Sequence, residues 1–157
     1  MVNHKINHIN KHMNPINLKK LKLNDYPLNT YDKIRYRDTD RQGHVNNAVF
    51  TTFLETGRAE LLYNPNNPLA CSGGSFVIAS IKLDLLSEVN WPGTVEIGTA
   101  IASVGKSSIQ IIQGIFHHGQ IAGTAETVIV QINDETRRST PLTQETTDIL
   151  KGYMLQK

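Results

Sequence analysis

Asp38-Thr-Asp-Arg-Gln-Gly-His-Val-Asn-Asn47 is the stretch whose reading decides the fold. On its N-terminal side polar and apolar residues alternate over 31–37, with Ile34 and Tyr36 on one face, which predicts a strand. On its C-terminal side Phe50, Phe53, Leu54, Gly57 and Leu61 fall at i, i+3, i+4, i+7 and i+11, an apolar stripe along one helix face. Asn46 or Asn47 is placed to cap that helix, since an Asn side chain accepts from the free N–H groups of a first turn. Asn64-Pro65 ends it, because proline disfavours a helical residue before it. About 17 residues at 1.5 Å each give a helix of roughly 25 Å, long enough to cross a sheet. The stretch gathers two carboxylates, an imidazole, a glycine and two amides at a sharp bend. Such bends, held rigid by their flanking elements, are where chemistry is commonly mounted. Gly43 permits a positive φ there.

Beyond the helix, 64–75 holds prolines, glycines and small polar residues and reads as a loop. Four strands follow. In the first, Val77, Ala79, Ile81, Leu83 and Leu85 alternate on one face. Pro92-Gly93 turns the chain into a strand over 94–104, Gly105-Lys106 into one over 108–116, and His118-Gly119 into one over 121–132. Strands joined by short turns are expected to be antiparallel neighbours. The tail over 143–150 suits a short helix. One strand, one long helix and four antiparallel strands make an α+β order of about five strands. The helix covers one sheet face, so the other face and the open edges need partners or polar residues, which predicts an oligomer.

At 157 residues, with 39% hydrophobic and 19% charged residues, the chain suits one globular domain. A net charge of +2 is too small to argue for nucleic acid, and no apolar run approaches a membrane span. One cysteine, Cys71, forms no internal disulfide, and no signal-like apolar segment opens the chain, so cytoplasm is the expected location. Residues 1–24 lack any acidic residue and read as a mobile extension ahead of a single domain over 25–157. Ile6, Ile9, Met13 and Ile16 have helical spacing there, interrupted by Pro15, and His4, His8 and His12 have the i, i+4 spacing of a metal-holding face.

Tyr36-Arg-Asp-Thr-Asp-Arg-Gln-Gly-His-Val-Asn-Asn-Ala48, followed by Phe53-Leu-Glu-Thr-Gly-Arg58 and by this strand order with its Gly105-Lys-Ser-Ser108 turn, resembles the hotdog-fold acyl-CoA thioesterases of the 4-hydroxybenzoyl-CoA thioesterase-like group. The likeness runs over about 25–142. The motif also resembles that of the plant acyl-carrier-protein thioesterases, which likewise runs into His-Val-Asn-Asn. The resemblance implies a long central helix wrapped by a curved antiparallel sheet, protomers paired edge to edge as a homodimer or homotetramer, and an active site between them. It implies that Asp40 is the catalytic carboxylate and that the backbone N–H of Asn47 polarises the thioester carbonyl. His44 is the third catalytic candidate, orienting Asp40 or touching the thioester, or else packing at the dimer seam. Gly43, Val45 and Asn46 are expected to line the substrate. Lys106, Ser107 and Ser108 are candidates for the phosphates of coenzyme A, and Glu55 is the reserve carboxylate, with Arg58 within reach at i+3.

Thioester hydrolysis needs a base or nucleophile on one side of the carbonyl and donors where the oxyanion develops. A carboxylate activates water or attacks directly, and a helix N-terminus supplies oriented donors. Other readings of these residues fail on specifics. An EF-hand loop starting at Asp38 would need an acid where Val49 stands. Ser72 and Ser75 lack the Gly-x-Ser-x-Gly elbow, and His117-His118 lacks further zinc ligands. No metal and no cofactor beyond the coenzyme A of the substrate are expected. Three rivals on the same fold remain: an acyl-carrier-protein thioesterase, a hydratase, whose Asp/His pattern is absent, and a non-catalytic acyl-CoA binding module.

Overall fold

The computed structural model describes residues 15–155. Its elements are β1 (Leu28–Ile34), α1 (Asn47–Leu62), β2 (Gly74–Leu85), β3 (Gly93–Val104), β4 (Ser108–His117), β5 (Gln120–Asn133) and α2 (Gln144–Lys151). All five strands form one antiparallel sheet in the order β1-β3-β4-β5-β2. α1 lies across one face, the hotdog arrangement that the resemblance implied, and buries Phe50, Phe53, Leu54, Gly57 and Leu61 as its stripe required. Among the described residues no helix is long and apolar enough to cross a membrane.

Three expectations about the strands need correction. β2 and β3 are consecutive yet not neighbours; β2 pairs with β5 at the edge opposite β1. The 86–92 connection instead carries the chain along the end of the sheet, past β5 and β4. Three inter-strand steps of about 4.8 Å are well within reach of such a segment. Second, the apolar face of β2 is Phe76, Ile78, Ile81, Leu83 and Leu85, not a run through Val77 and Ala79. A bulge between Ile78 and Ser80 inserts Ala79 as an extra residue, and one extra residue reverses the alternation.

Third, β1 stops at Ile34. Asp38 Oδ2 accepts from the Arg35 N–H at 2.7 Å and the Asp38 N–H donates to the Arg35 carbonyl at 2.9 Å, closing a 3-10 turn over Tyr36–Asp38. Backbone groups satisfied locally no longer serve the ladder. Tyr36, expected on the face of Ile34, is therefore exposed, with its ring edge-on to Trp91 at 5.4 Å.

α1 crosses the sheet most closely at Gly57. A Cβ there would stand 2.7 Å from Gln113 Nε2 and from Ile97 Cγ2, and 2.8 Å from Thr99 Oγ1. Gly to Ala inside a helix ordinarily gains about 0.5–1 kcal/mol. Here overpacking against buried side chains costs about 1–3 kcal/mol and outweighs that gain. Gly57→Ala is expected to lower the urea midpoint; a midpoint at or above that of the unchanged protein would refute the close crossing.

The outer sheet face is covered in part by the chain's own N-terminal arm. Leu18, in a 3-10 turn capped by Asn17, packs with Tyr26 on Ala100, Ile112 and Phe116. Gly98 leaves room for the Tyr26 ring and Gly114 for the Tyr26 hydroxyl and the Phe116 ring, each of which a Cβ there would strike. Residues 15–24 of the expected mobile extension thus lie against the sheet. The His4, His8, His12 face and the Ile6, Ile9, Met13 spacing fall outside the described residues. At the other end Thr143 caps α2 by accepting from the Thr146 N–H at 3.1 Å, and α2 buries Leu150 beside Leu61 and Leu62.

Candidate active site

The 38–47 stretch folds as a small tight loop against the N-terminus of α1. Thr39 and Val45 form an antiparallel bridge, the Asp40 N–H donates to the His44 carbonyl at 2.8 Å, and the Gly43 N–H donates to the Asp40 carbonyl at 3.0 Å. Gly43 sits at φ +80° with nothing within 4 Å of a would-be Cβ, so backbone conformation rather than space requires glycine. The Asp40 carboxylate is exposed, and its Oδ1 accepts from the N–H groups of Gln42 at 2.9 Å and His44 at 3.3 Å. Among the described residues Oδ2 has no hydrogen-bond partner. One oxygen fixes the side chain while the other stays free to take a proton or attack.

Asp38 is buried and spends its carboxylate on the turn before the loop, while its carbonyl accepts from the Asn46 N–H at 2.8 Å. Asn46 is the N-cap: its Oδ1 accepts from the Ala48 N–H at 3.0 Å and its carbonyl from the Val49 N–H at 2.9 Å. That leaves the Asn47 N–H, which has no acceptor among the described residues, pointing out of the first turn as an unspent donor. Val45 is buried beside Ile34, Phe50 and Val89 and donates its N–H to the Val89 carbonyl at 2.7 Å, so it anchors the loop to the core.

His44 is half-buried, bridged through its backbone to Asn90, and its Nε2 lies 3.1 Å from Glu88 Oε2. Glu88 was not legible as a site residue; an isolated acid in an irregular connection leaves no pattern. A cleft of about 380 Å³ opens between the loop and this connection, with Asp40, Gln42, His44, Val45, Asn47 and Phe50 on one side and 85–88 on the other. Of the residues expected to line the substrate here, Val45 does so and Gly43 and Asn46 do not.

Other expected substrate residues do not reach this cleft. Glu55 is two helical turns on, roughly 12 Å away along the axis. It borders a separate small crevice near Phe76 and Ile78. Arg58 turns inward rather than toward Glu55, donating from Nη1 to Gln113 Oε1 at 3.3 Å. Burial pulls its guanidinium below the ordinary value, opposed by the Glu55 charge. Lys106, Ser107 and Ser108 sit at the opposite end of the sheet: Ile34 pairs with Gly93, and the turn follows the far end of β3, roughly 35 Å away. Within one protomer they cannot line the Asp40 cleft. The turn is pinned, with the Lys106 carbonyl accepting from Leu142 and the Ser107 carbonyl from Gln131, both at 2.8 Å. Among the described residues no group of three or more His, Cys, Asp or Glu could hold a metal.

A five-stranded antiparallel sheet around one helix, with a carboxylate loop feeding the helix N-terminus, defines a hotdog thioesterase scaffold. The model of the thioesterase-like superfamily matches residues 34–150, and the chain belongs to that family. It is similar to the acyl-CoA thioesterase YbgC of Helicobacter pylori, with 31% identity over 84 residues. That match takes in 54% of this chain and spans 63% of the relative's length. A predicted thioesterase from Bacillus stearothermophilus superposes with a TM-score of 0.75 at 26% identity, over 83% of this chain and 98% of that one. A Thermus thermophilus thioesterase solved with coenzyme A and Zn superposes with a TM-score of 0.73 at 24% identity, over 85% and 98% of the two chains.

Proposed function

We propose that this chain is an acyl-CoA thioesterase, releasing a free acid and coenzyme A. The observation that carries this reading is the shared cleft: it is lined both by Asp40, whose carboxylate keeps one oxygen without a partner among the described residues, and by Asn47, whose helix N-terminal N–H has no acceptor among them. Asp40 takes a proton from water as the water oxygen bonds to the thioester carbon, the Asn47 N–H holds the oxyanion, and the carbon–sulfur bond then breaks as the thiolate leaves with the acid formed. Alternatively Asp40 attacks that carbon itself, the thiolate leaves, and water hydrolyses the resulting mixed anhydride to free the acid and restore the carboxylate. His44, tied to Glu88, keeps the loop and the opposite wall in register. The relatives named as acyl-CoA thioesterases and the structure holding coenzyme A support the substrate class.

The active form in this reading is a cytoplasmic homodimer, alone or doubled. β2 is an open edge whose Ile78, Ile81 and Leu85 are 49%, 37% and 45% exposed, apolar surface that a second copy would cover. Antiparallel pairing of two β2 edges reverses one protomer on the other. That brings the Lys106–Ser108 end of one copy toward the Asp40 end of its partner, which gives those residues their expected place near the coenzyme A phosphates. Thiol release measured over acyl-CoAs of graded length, with a benzoyl thioester included, tests the reading. Turnover of at least one class is expected; tight acyl-CoA binding with no thiol released would overturn it in favour of a binding module.

A further inference from the structure

The end of the sheet that carries the Asp40 loop holds a second cleft, of about 480 Å³, between the 86–92 connection and the β4–β5 turn. It borders the first cleft across Ser87 and Glu88, which line both, so a ligand long enough to reach over that segment can occupy both. Its own walls are Asn90, Trp91, Pro92, His117, His118 and Gln120.

These walls are flat and aromatic. The Trp91 indole is 47% exposed and buttressed edge-on by the Tyr36 ring, at 5.4 Å between centroids and 85° between planes. The His117 and His118 rings lie 4.0 Å apart, and His117 is fixed by Nδ1 at 3.1 Å from the Thr94 carbonyl. Asn90 and Gln120 add amide donors and acceptors at the rim. Among the described residues no lysine or arginine lines the cleft, while Glu88 does. These walls offer a phosphate no cation, so they suit the planar neutral heterocycle of a ligand whose phosphates lie outside them, and that heterocycle finds stacking surfaces and hydrogen-bonding edges here.

Acyl-coenzyme A carries one such group. We propose that this second cleft takes the adenine ring of the coenzyme, with Trp91 as the stacking surface, Gln120 and Asn90 reading the base edge, and the thioester in the neighbouring Asp40 cleft. This assignment rests on the acyl-CoA reading above. It makes Trp91 a residue that separates a nucleotide-bearing thioester from one that ends at pantetheine.

The chain has one tryptophan, so its fluorescence reports on this cleft without any turnover. Titration with adenosine is expected to change that fluorescence saturably, with coenzyme A competing for the same site and pantetheine failing to. Base–aromatic stacking of ordinary strength predicts that Trp91→Ala raises KM for acyl-CoA about tenfold. Gln120→Ala should move it the same way, while kcat/KM for the matching acyl-pantetheine stays put. A mere folding defect would weaken both substrates together, and that outcome would overturn the assignment, as would a flat fluorescence titration. If neither thioester is hydrolysed, the thioesterase reading fails, and the titration still decides whether the cleft takes adenine.

Discussion

Asp40→Asn is expected to lower kcat for acyl-CoA hydrolysis by about 10²- to 10⁴-fold, the usual worth of a positioned base, with KM little changed. The substitution is chosen for what it leaves alone. An amide oxygen at the Oδ1 position can still accept from the Gln42 and His44 N–H groups, so the loop and its Gly43 bend survive. What disappears is the charge on the free oxygen. Asp40→Ala would remove the turn contacts as well and confound chemistry with loop order, which is why the isostere is the sharper probe. Retention of more than a tenth of kcat by Asp40→Asn would eliminate Asp40 as the reacting carboxylate. Glu55→Gln would then be the next variant to measure, since Glu55 stands on α1 beside the crevice near β2.

The parts of this site that were legible in the sequence are those built from contiguous residues. Gly43 at a positive φ, Asn46 as the cap and the Phe50-to-Leu61 stripe are each set by interactions within a few positions, so spacing exposes them. The parts that were not legible arise where distant segments meet. Glu88 reaches His44 because the 86–92 connection runs along the end of the sheet, a path fixed by β2 taking the edge beside β5. The bulge at Ala79 leaves no mark in composition, yet it decides which half of the β2 side chains face the helix. Lys106, expected near the coenzyme A phosphates, could not be assigned to one end of the sheet until the strand order was known. Tyr36 shows the same limit on a shorter scale. Its alternation with Ile34 promised burial, but the Asp38 carboxylate closed a turn first.

Gln113→Leu is expected to cost about 3 kcal/mol of stability, a large share of a domain's typical margin of about 5–15 kcal/mol. Gln113 is fully buried on β4 under the Gly57 crossing. Its Nε2 donates to the Leu54 carbonyl at 2.9 Å and to Thr99 Oγ1 at 3.0 Å, and its Oε1 accepts from Arg58 Nη1 at 3.3 Å. One amide therefore ties helix backbone, sheet side chain and a buried cation together. Leucine matches it in size and gains some apolar burial, but it leaves the guanidinium and the Thr99 hydroxyl without that partner, at about 1–3 kcal/mol each and more for the charged group. In urea, at fixed protein concentration, the midpoint should fall by roughly 1–3 M. The same logic sets the sign of a second measurement. Arg58→Met removes the buried charge, so Gln113→Leu should cost less in the Arg58→Met background than alone, and the two losses should not add. Additive losses would show that Gln113 acts by packing alone. An unshifted midpoint for Gln113→Leu would show that the buried network contributes nothing to holding the helix on the sheet.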